Sequence, residues 1–451
     1  MNGKDMRCYK DLENWDSYCH DILWEYKQCI DEGLDIEKYE AMFECAAALP
    51  RDETRKSFTD ALFEAVNKAK IIEGYKYNEP SDLKGIKALR KPYNFNKNPV
   101  SEEVLKNKIH GAWMGRICGC LLGKPVEGIR SEEMIPLLKE SGNYPMHRYI
   151  LSTDVTEEMY NNFSFNLHNK CFADTVHGMP VDDDTNYIAL AQCIIEDFGR
   201  DFTPQNVAFS WVKYQSREAY FTAERVAYRN YINGYHPPYS ATYKNPYREW
   251  IGAQIRGDYF GYINPGEPEK AAEMAFRDAC ISHTKNGIYG EMWATAMVAC
   301  AAVTDDIEAI IRGGLAQIPE TSRLYESIDG VIDDCKAGVS YDDCISKTHT
   351  LFDEHTGYGW CHTIPNAMIV TAALMYGNGD FGKSICMAVQ PCFDTDCNGA
   401  TVGSVLGMRN GLDKIDEYWK KPVENTLHTS IFGVGTAEIS TLVEKTFKHL
   451  K

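Results

Sequence analysis

Two stretches decide the fold: Gly115–Gly128, GRICGCLLGKPVEG, and Asp394–Gly407, DTDCNGATVGSVLG. Glycines recur at 111, 115, 119 and 123 around the first stretch, and at 399, 403 and 407 in the second. A four-residue period lays each series along one stripe of a helix. Glycine inside a helix costs about 1 kcal/mol against alanine, so both series need a packing reason. A stripe without side chains lets another backbone come close, as GxxxG does in membranes, but neither flank here is apolar enough for a bilayer. The pattern predicts two helices crossing tightly at the protein's centre, with the DTD segment at one end of the crossing.

Outward from this crossing the text stays helical. Apolar residues at three- and four-residue spacing predict helices over 11–30, 36–49 and 52–72, then 104–122, 186–198, 204–229, 267–279, 289–303, 305–317, 365–376, 381–389 and 398–410. Alternating strand patterns are nearly absent, so the expected class is all-α with long loops carrying the site. Residues 84–98, basic and rich in Asn and Pro, read as a connector. The chain divides into a helical N-terminal extension and linker, 1–98, and a larger unit, 99–451.

The 451 residues carry 47 basic and 65 acidic side chains, a net charge of −18. That balance excludes a general nucleic-acid or anionic-membrane binder. The longest apolar run is about 11 residues, short of the ~20 a membrane span needs. The charged N-terminus lacks a signal-peptide core. The 16 cysteines form no CxxC pair, so they read as reduced, buried thiols. A cytoplasmic location is the expectation. Between Tyr214 and Tyr262 lie ten tyrosines. They read either as aromatic packing or as a wall that stacks on a base or sugar.

Two acidic motifs each run into an apolar helix: Asp182-Asp183-Asp184-Thr185 and Asp394-Thr395-Asp396-Cys397-Asn398-Gly399. Capping and the helix dipole relieve part of the repulsion among adjacent carboxylates. Two such motifs in one chain point further, to hard divalent cations held by oxygen ligands. Asp394 and Asp396, two apart in an extended segment, would face the same side. Together the motifs offer five carboxylates for two Mg²⁺ ions, with Mn²⁺ as an alternative. An EF-hand is excluded, because the twelfth position after Asp394 is Val405 rather than Glu. The calcium motif of nucleoside hydrolases lies near the N-terminus of an α/β chain, unlike this one. Gly119–Lys124, GCLLGK, is no phosphate loop, since its glycine spacing is wrong and Pro125 follows the lysine.

With these motifs the chain resembles the ADP-ribosylglycohydrolase family, which includes dinitrogenase reductase-activating glycohydrolase and the ADP-ribosyl-acceptor hydrolases. GRICGCLLGKPVEG is similar to the family's opening helix and its exit. DDDTNYIALA (182–191) and DTDCNGATVGSVLG are similar to its two metal motifs, and ISHTKNGIYGE (281–291) to its central His-containing loop. The resemblance runs from about Val104 to Phe432 and leaves the N-terminal extension outside.

The resemblance implies an orthogonal bundle of helices and a dinuclear Mg²⁺ centre. It also implies hydrolysis of the glycosidic bond between ADP-ribose and an acceptor, either a protein side chain or a small conjugate. Carried over by position, Asp182, Asp183, Asp184, Asp394 and Asp396 bind metal, and Glu127 or Asp396 handles the proton. His283, Asn286, Gly287, Gly252 and Arg256 contact the substrate. Three positions depart from the family pattern. Cys120 replaces an Asp, Asp182 a Thr and Cys397 a Thr, which leaves the metal site in place and the acceptor open. The competing readings are a metal-dependent glycosidase of another nucleoside or sugar conjugate, and a silent ADP-ribose binder. The oligomeric state is not legible.

Overall fold

The computed structural model describes residues 9–450, so residues 1–8 of the extension and Cys8 lie outside the described part. The fold is all-α. Its one sheet among the described residues is the short antiparallel pair Thr426–His428 with Thr436–Glu438. No helix of the described residues is long and apolar enough to cross a membrane.

The two glycine helices, Glu102–Gly123 and Thr395–Asn410, cross at the centre as their spacing predicts. A Cβ added to Gly111, Gly115 or Gly119 would strike the carbonyl oxygen of Gly407, Gly403 or Gly399 in turn. One added to Gly123 would strike the Asp396 amide. The crossing thus fixes the second acidic motif against the end of the first helix. Thr395 Oγ1 donates to the Gly123 carbonyl at 2.9 Å and ties the same corner. Around this pair stand Lys285–Ala301 and Thr363–Gly377, both buried over nearly their whole length. A helix apolar on all sides belongs in the interior of a large core.

Several boundaries differ from the sequence reading. The second acidic motif is not extended: Asp394 is the N-cap and Asp396 sits in the first helical turn. The run 204–229 divides into Pro204–Tyr214 and Thr222–Ile232, and the loop between them lines the cleft described below. The first predicted helix begins only at Ile22, and the connector holds a short helix, Leu83–Ala88, capped by Asp82. Helices Ser131–Glu140, Arg323–Lys336, Tyr341–Leu351 and Ile439–Lys448 were not anticipated. The first carries an internal Pro136, and the second carries Gly330 in its interior, both residues that weaken a helical reading.

The N-terminal extension has a small core of its own, with Ile22, Ile36, Phe43 and Leu62. It is also bound to the bundle by buried charges. Arg248 pairs with Glu25 at 2.9 Å and Glu32 at 2.6 Å, and Lys285 reaches Glu32 at 2.6 Å. Arg323 bridges Glu79 at 2.7 Å and Glu249 at 2.8 Å. Breaking one partner of such a buried set is costly, because it strands the other charge.

Candidate metal centre and cleft

Both acidic motifs open into one cleft of about 650 Å³. Its acidic end holds Glu127, Asp182, Asp183, Asp394 and Asp396. Asp182 is the N-cap of helix Asp183–Phe198 and accepts from the Asp184 amide at 2.9 Å. Its other oxygen takes Lys124 Nζ at 2.6 Å. Asp184 is fully buried and faces Arg116, whose Nη2 lies 2.9 Å away and whose Nη1 pairs with Asp258 at 2.7 Å. Asn366 orients the second motif, accepting the Asp394 amide at 3.1 Å and the Asn398 side chain at 2.8 Å. Two non-glycine residues in the left-handed region, Cys392 (φ 65°) and Phe393 (φ 58°), precede Asp394. Backbone of that kind is uncommon and concentrates where a site must be aimed.

The carboxylates crowd one another. Oxygens of Asp182, Asp183 and Asp184 lie within 4.8 Å of each other, as do those of Glu127, Asp394 and Asp396. Asp396 also groups with Cys120 and Asp182, and with Asp184 and Cys397. It is therefore the pivot between the motifs. Burial, then the charge of Asp182, pushes the Asp396 carboxyl up to about 6. Burial raises Asp183, Asp184 and Asp394 well above the usual carboxylate range, with neighbouring aspartates adding to it. Glu127 is raised first by the charge of Asp396 and second by desolvation, although its side chain opens to the cleft. The buried Asp396 Oδ1 has no hydrogen-bond partner. A divalent cation would satisfy that oxygen and offset the repulsion, and the donor set suits Mg²⁺ or Mn²⁺.

Three thiols surround this set. Cys397 Sγ donates to Asp184 at 3.1 Å and Cys361 Sγ to Asp394 at 3.6 Å, while Cys120 is fully buried. Burial pushes all three thiols up, so they pack as neutral groups beside the carboxylates in the metal-free protein.

The expected substrate-contacting residues divide. Gly252 lines the cleft. A Cβ there would collide with the Glu224 carboxylate, which pairs with Arg256 at 2.8 Å. Gly252→Ala is expected to displace Glu224 and weaken ligand binding by about tenfold, with a stability loss within the ~1–3 kcal/mol of an overpacked core. Calorimetric binding and thermal melts check it. Arg256 itself is 1% exposed and locked between Glu224 and Asp278, so it braces the cleft wall from behind.

His283, Asn286 and Gly287 lie behind the wall and do not line the cleft. His283 is 1% exposed, bonded to Ser282 Oγ at 2.8 Å, and held neutral by burial and then by Arg256. Asn286 joins Glu79 and Glu249, each at 2.8 Å. Gly287 packs against Arg248 and His283. Sequence reasoning missed Lys124, Glu224, Asn186, Ser430, Trp360 and Trp15, all of which line the cleft. Lys124 and Asn186 carried a signal, because they sit in the quoted GKPVEG exit and DDDTNYIALA motif.

A family model described as ADP-ribosylglycohydrolase matches residues 101–450. A solved structure titled "ADP-ribosylglycohydrolase-related protein complex" is 17% identical, covers 77% of this chain and 99% of its own, and gives a TM-score of 0.47. Comparison with curated proteins gave no match.

Proposed function

Because the chain belongs to the ADP-ribosylglycohydrolase family, we propose that the cleft hydrolyses the glycosidic bond between ADP-ribose and an acceptor, using two Mg²⁺ ions. The family acts on ADP-ribosylated substrates through a metal-dependent site. The observation that carries the reading is the meeting of two distant acidic motifs at Asp396, with its buried Oδ1 unpartnered.

Asp182, Asp183, Asp184, Asp394 and Asp396 would hold the ions. When bound, the ions supply orientation of the ribose hydroxyls and a lowered pKa for water. Cleavage at a ribosyl carbon develops oxocarbenium-like charge, which the crowded anionic wall favours. Glu127 faces the lumen with its carboxyl raised above the ordinary range, first by the charge of Asp396, and would serve as the acid that protonates the departing group. Lys124 neutralises Asp182 and leaves the remaining acids facing the cleft.

The test is release of ADP-ribose from ADP-ribosyl-arginine, ADP-ribosyl-serine and O-acetyl-ADP-ribose, with Mg²⁺ or after chelation. Release from at least one, abolished by the chelator, is the expected result. No release from any of them overturns the reading.

Metal binding carries its own pH signature. A carboxyl raised in the folded protein favours the protonated folded form, so its stabilising contribution is present at low pH. For Asp396 that contribution is lost as pH rises from its ordinary 3.8 through about 6. Cations need the deprotonated form. The Mg²⁺-induced rise in Tm is therefore expected to be small at pH 5 and large at pH 7.5, read by paired melts. An equal rise at both values would contradict the assignment.

A further inference from the structure

We propose that the N-terminal extension completes the cleft with an aromatic lip, Trp15 against Phe221, which holds a planar aromatic ring of the bound ligand. The proposal rests on the glycosidase reading above and adds the part of the ligand that the carboxylates do not contact. Trp15 lies outside the family-matched residues, yet it lines the same cleft as Asp183 and Asp396.

Its position is fixed by the bundle. Asp16 pairs with Arg225 at 3.3 Å and with Arg217 at 3.5 Å. Arg229 Nη1 donates to the Trp15 carbonyl at 3.2 Å. All three arginines belong to the segment that carries Phe221. The two rings meet edge to face, with centroids 5.5 Å apart and planes at 82°. That arrangement leaves ring surface for a third group.

Phe221 is 40% exposed although it sits in a concave site. The next residue, Thr222, has φ 37°. A β-branched residue in the left-handed region is strained, and strain of this kind persists where surrounding structure imposes it. Here the Asp16–Arg225 and Asp16–Arg217 pairs clamp either side of the turn.

The chemistry of the ring follows from the wall around it. Ala219, Ile251 and Ile255 add apolar surface to the cleft, and Glu218 and Glu224 add acids. Among the described lining residues Lys124 is the one base, and Asp182 occupies it. Recognition at the lip is therefore by stacking, and the ring is neutral or cationic. Two sources satisfy that chemistry, the base of an ADP-ribosyl group and an aromatic leaving group.

The experiment uses the full chain with Mg²⁺. Calorimetry measures ADP-ribose and ribose 5-phosphate on wild type, Trp15→Ala, Trp15→Phe and Phe221→Ala, and kinetics follow an aryl riboside. If the ring is the base, Trp15→Ala weakens ADP-ribose about tenfold, the scale of one base–aromatic stack. Ribose 5-phosphate is then unchanged, and Trp15→Phe restores most of the loss. If the ring is the leaving group, ADP-ribose is unchanged and KM for the aryl riboside rises about tenfold. Either outcome supports the lip. Unchanged values for both ligands in Trp15→Ala and Phe221→Ala overturn it, as does an equal loss for ribose 5-phosphate, which marks a structural role. A wild-type chain that binds and cleaves none of these ligands overturns the glycosidase reading itself, a result separable from any Trp15 comparison.

Discussion

Glu127→Gln is expected to lower kcat by about 10²–10⁴-fold while leaving ADP-ribose binding nearly intact. Glu127 follows the turn that ends the first glycine helix, and Gly123 in that helix touches the backbone of Thr395 and Asp396. Its carboxyl lies with those of Asp394 and Asp396 and is raised first by the charge of Asp396. Glutamine keeps the shape and loses the transferable proton. Glutamine also cannot ionise, so above the pH at which Glu127 loses its proton the metal-free variant should melt higher than wild type. Lower turnover with a higher Tm separates a proton-handling role from a bracing one. A bracing residue would lose both. Single-turnover kinetics and melts of the chelated protein read the two quantities.

Gly119→Ala is expected to give a large stability loss. The new Cβ would fall on the Gly399 carbonyl, where backbone meets backbone and no rotamer can relieve the contact. Overpacking of a core costs about 1–3 kcal/mol, occasionally more, and this contact belongs at or above the top of that range. The helices would also part at the corner that sets Asp396 beside Glu127, so cation affinity should fall with stability. Gly330→Ala is the control. Gly330 is exposed in helix Arg323–Lys336 with no atom near the added Cβ. There alanine should gain up to about 1 kcal/mol of helix propensity. Equal effects at 119 and 330 would show that the crossing is not as tight as described.

The crossing was legible in the sequence because only close backbone contact explains glycine at four-residue intervals in helices. The acidic motifs were legible because adjacent aspartates are costly without cations. His283, Asn286 and Arg256 were expected at the substrate, and they stand outside the lining of this cleft for a physical reason. Polar residues beside a motif look the same in sequence whether they face the ligand or brace the wall. Here the bracing is done by partners far away in sequence, Glu79 for Asn286 and Glu224 for Arg256. Trp15 was illegible for the converse reason. Nothing local marks it, and its place depends on Asp16 finding Arg217 and Arg225 some two hundred residues later. The tyrosine-rich stretch resolved mostly into packing, with Tyr220, Tyr247, Tyr259 and Tyr262 fully buried. The residue from that stretch that reaches the cleft with an exposed ring is Phe221.

The most direct measurement is anomalous diffraction from crystals soaked with Mn²⁺ and ADP-ribose. Two anomalous peaks are expected among Asp182, Asp183, Asp184, Asp394 and Asp396, with a ribose over them and Glu127 beside its anomeric carbon. Density for ADP-ribose elsewhere, or no anomalous peak within reach of Asp396, would contradict the proposed site.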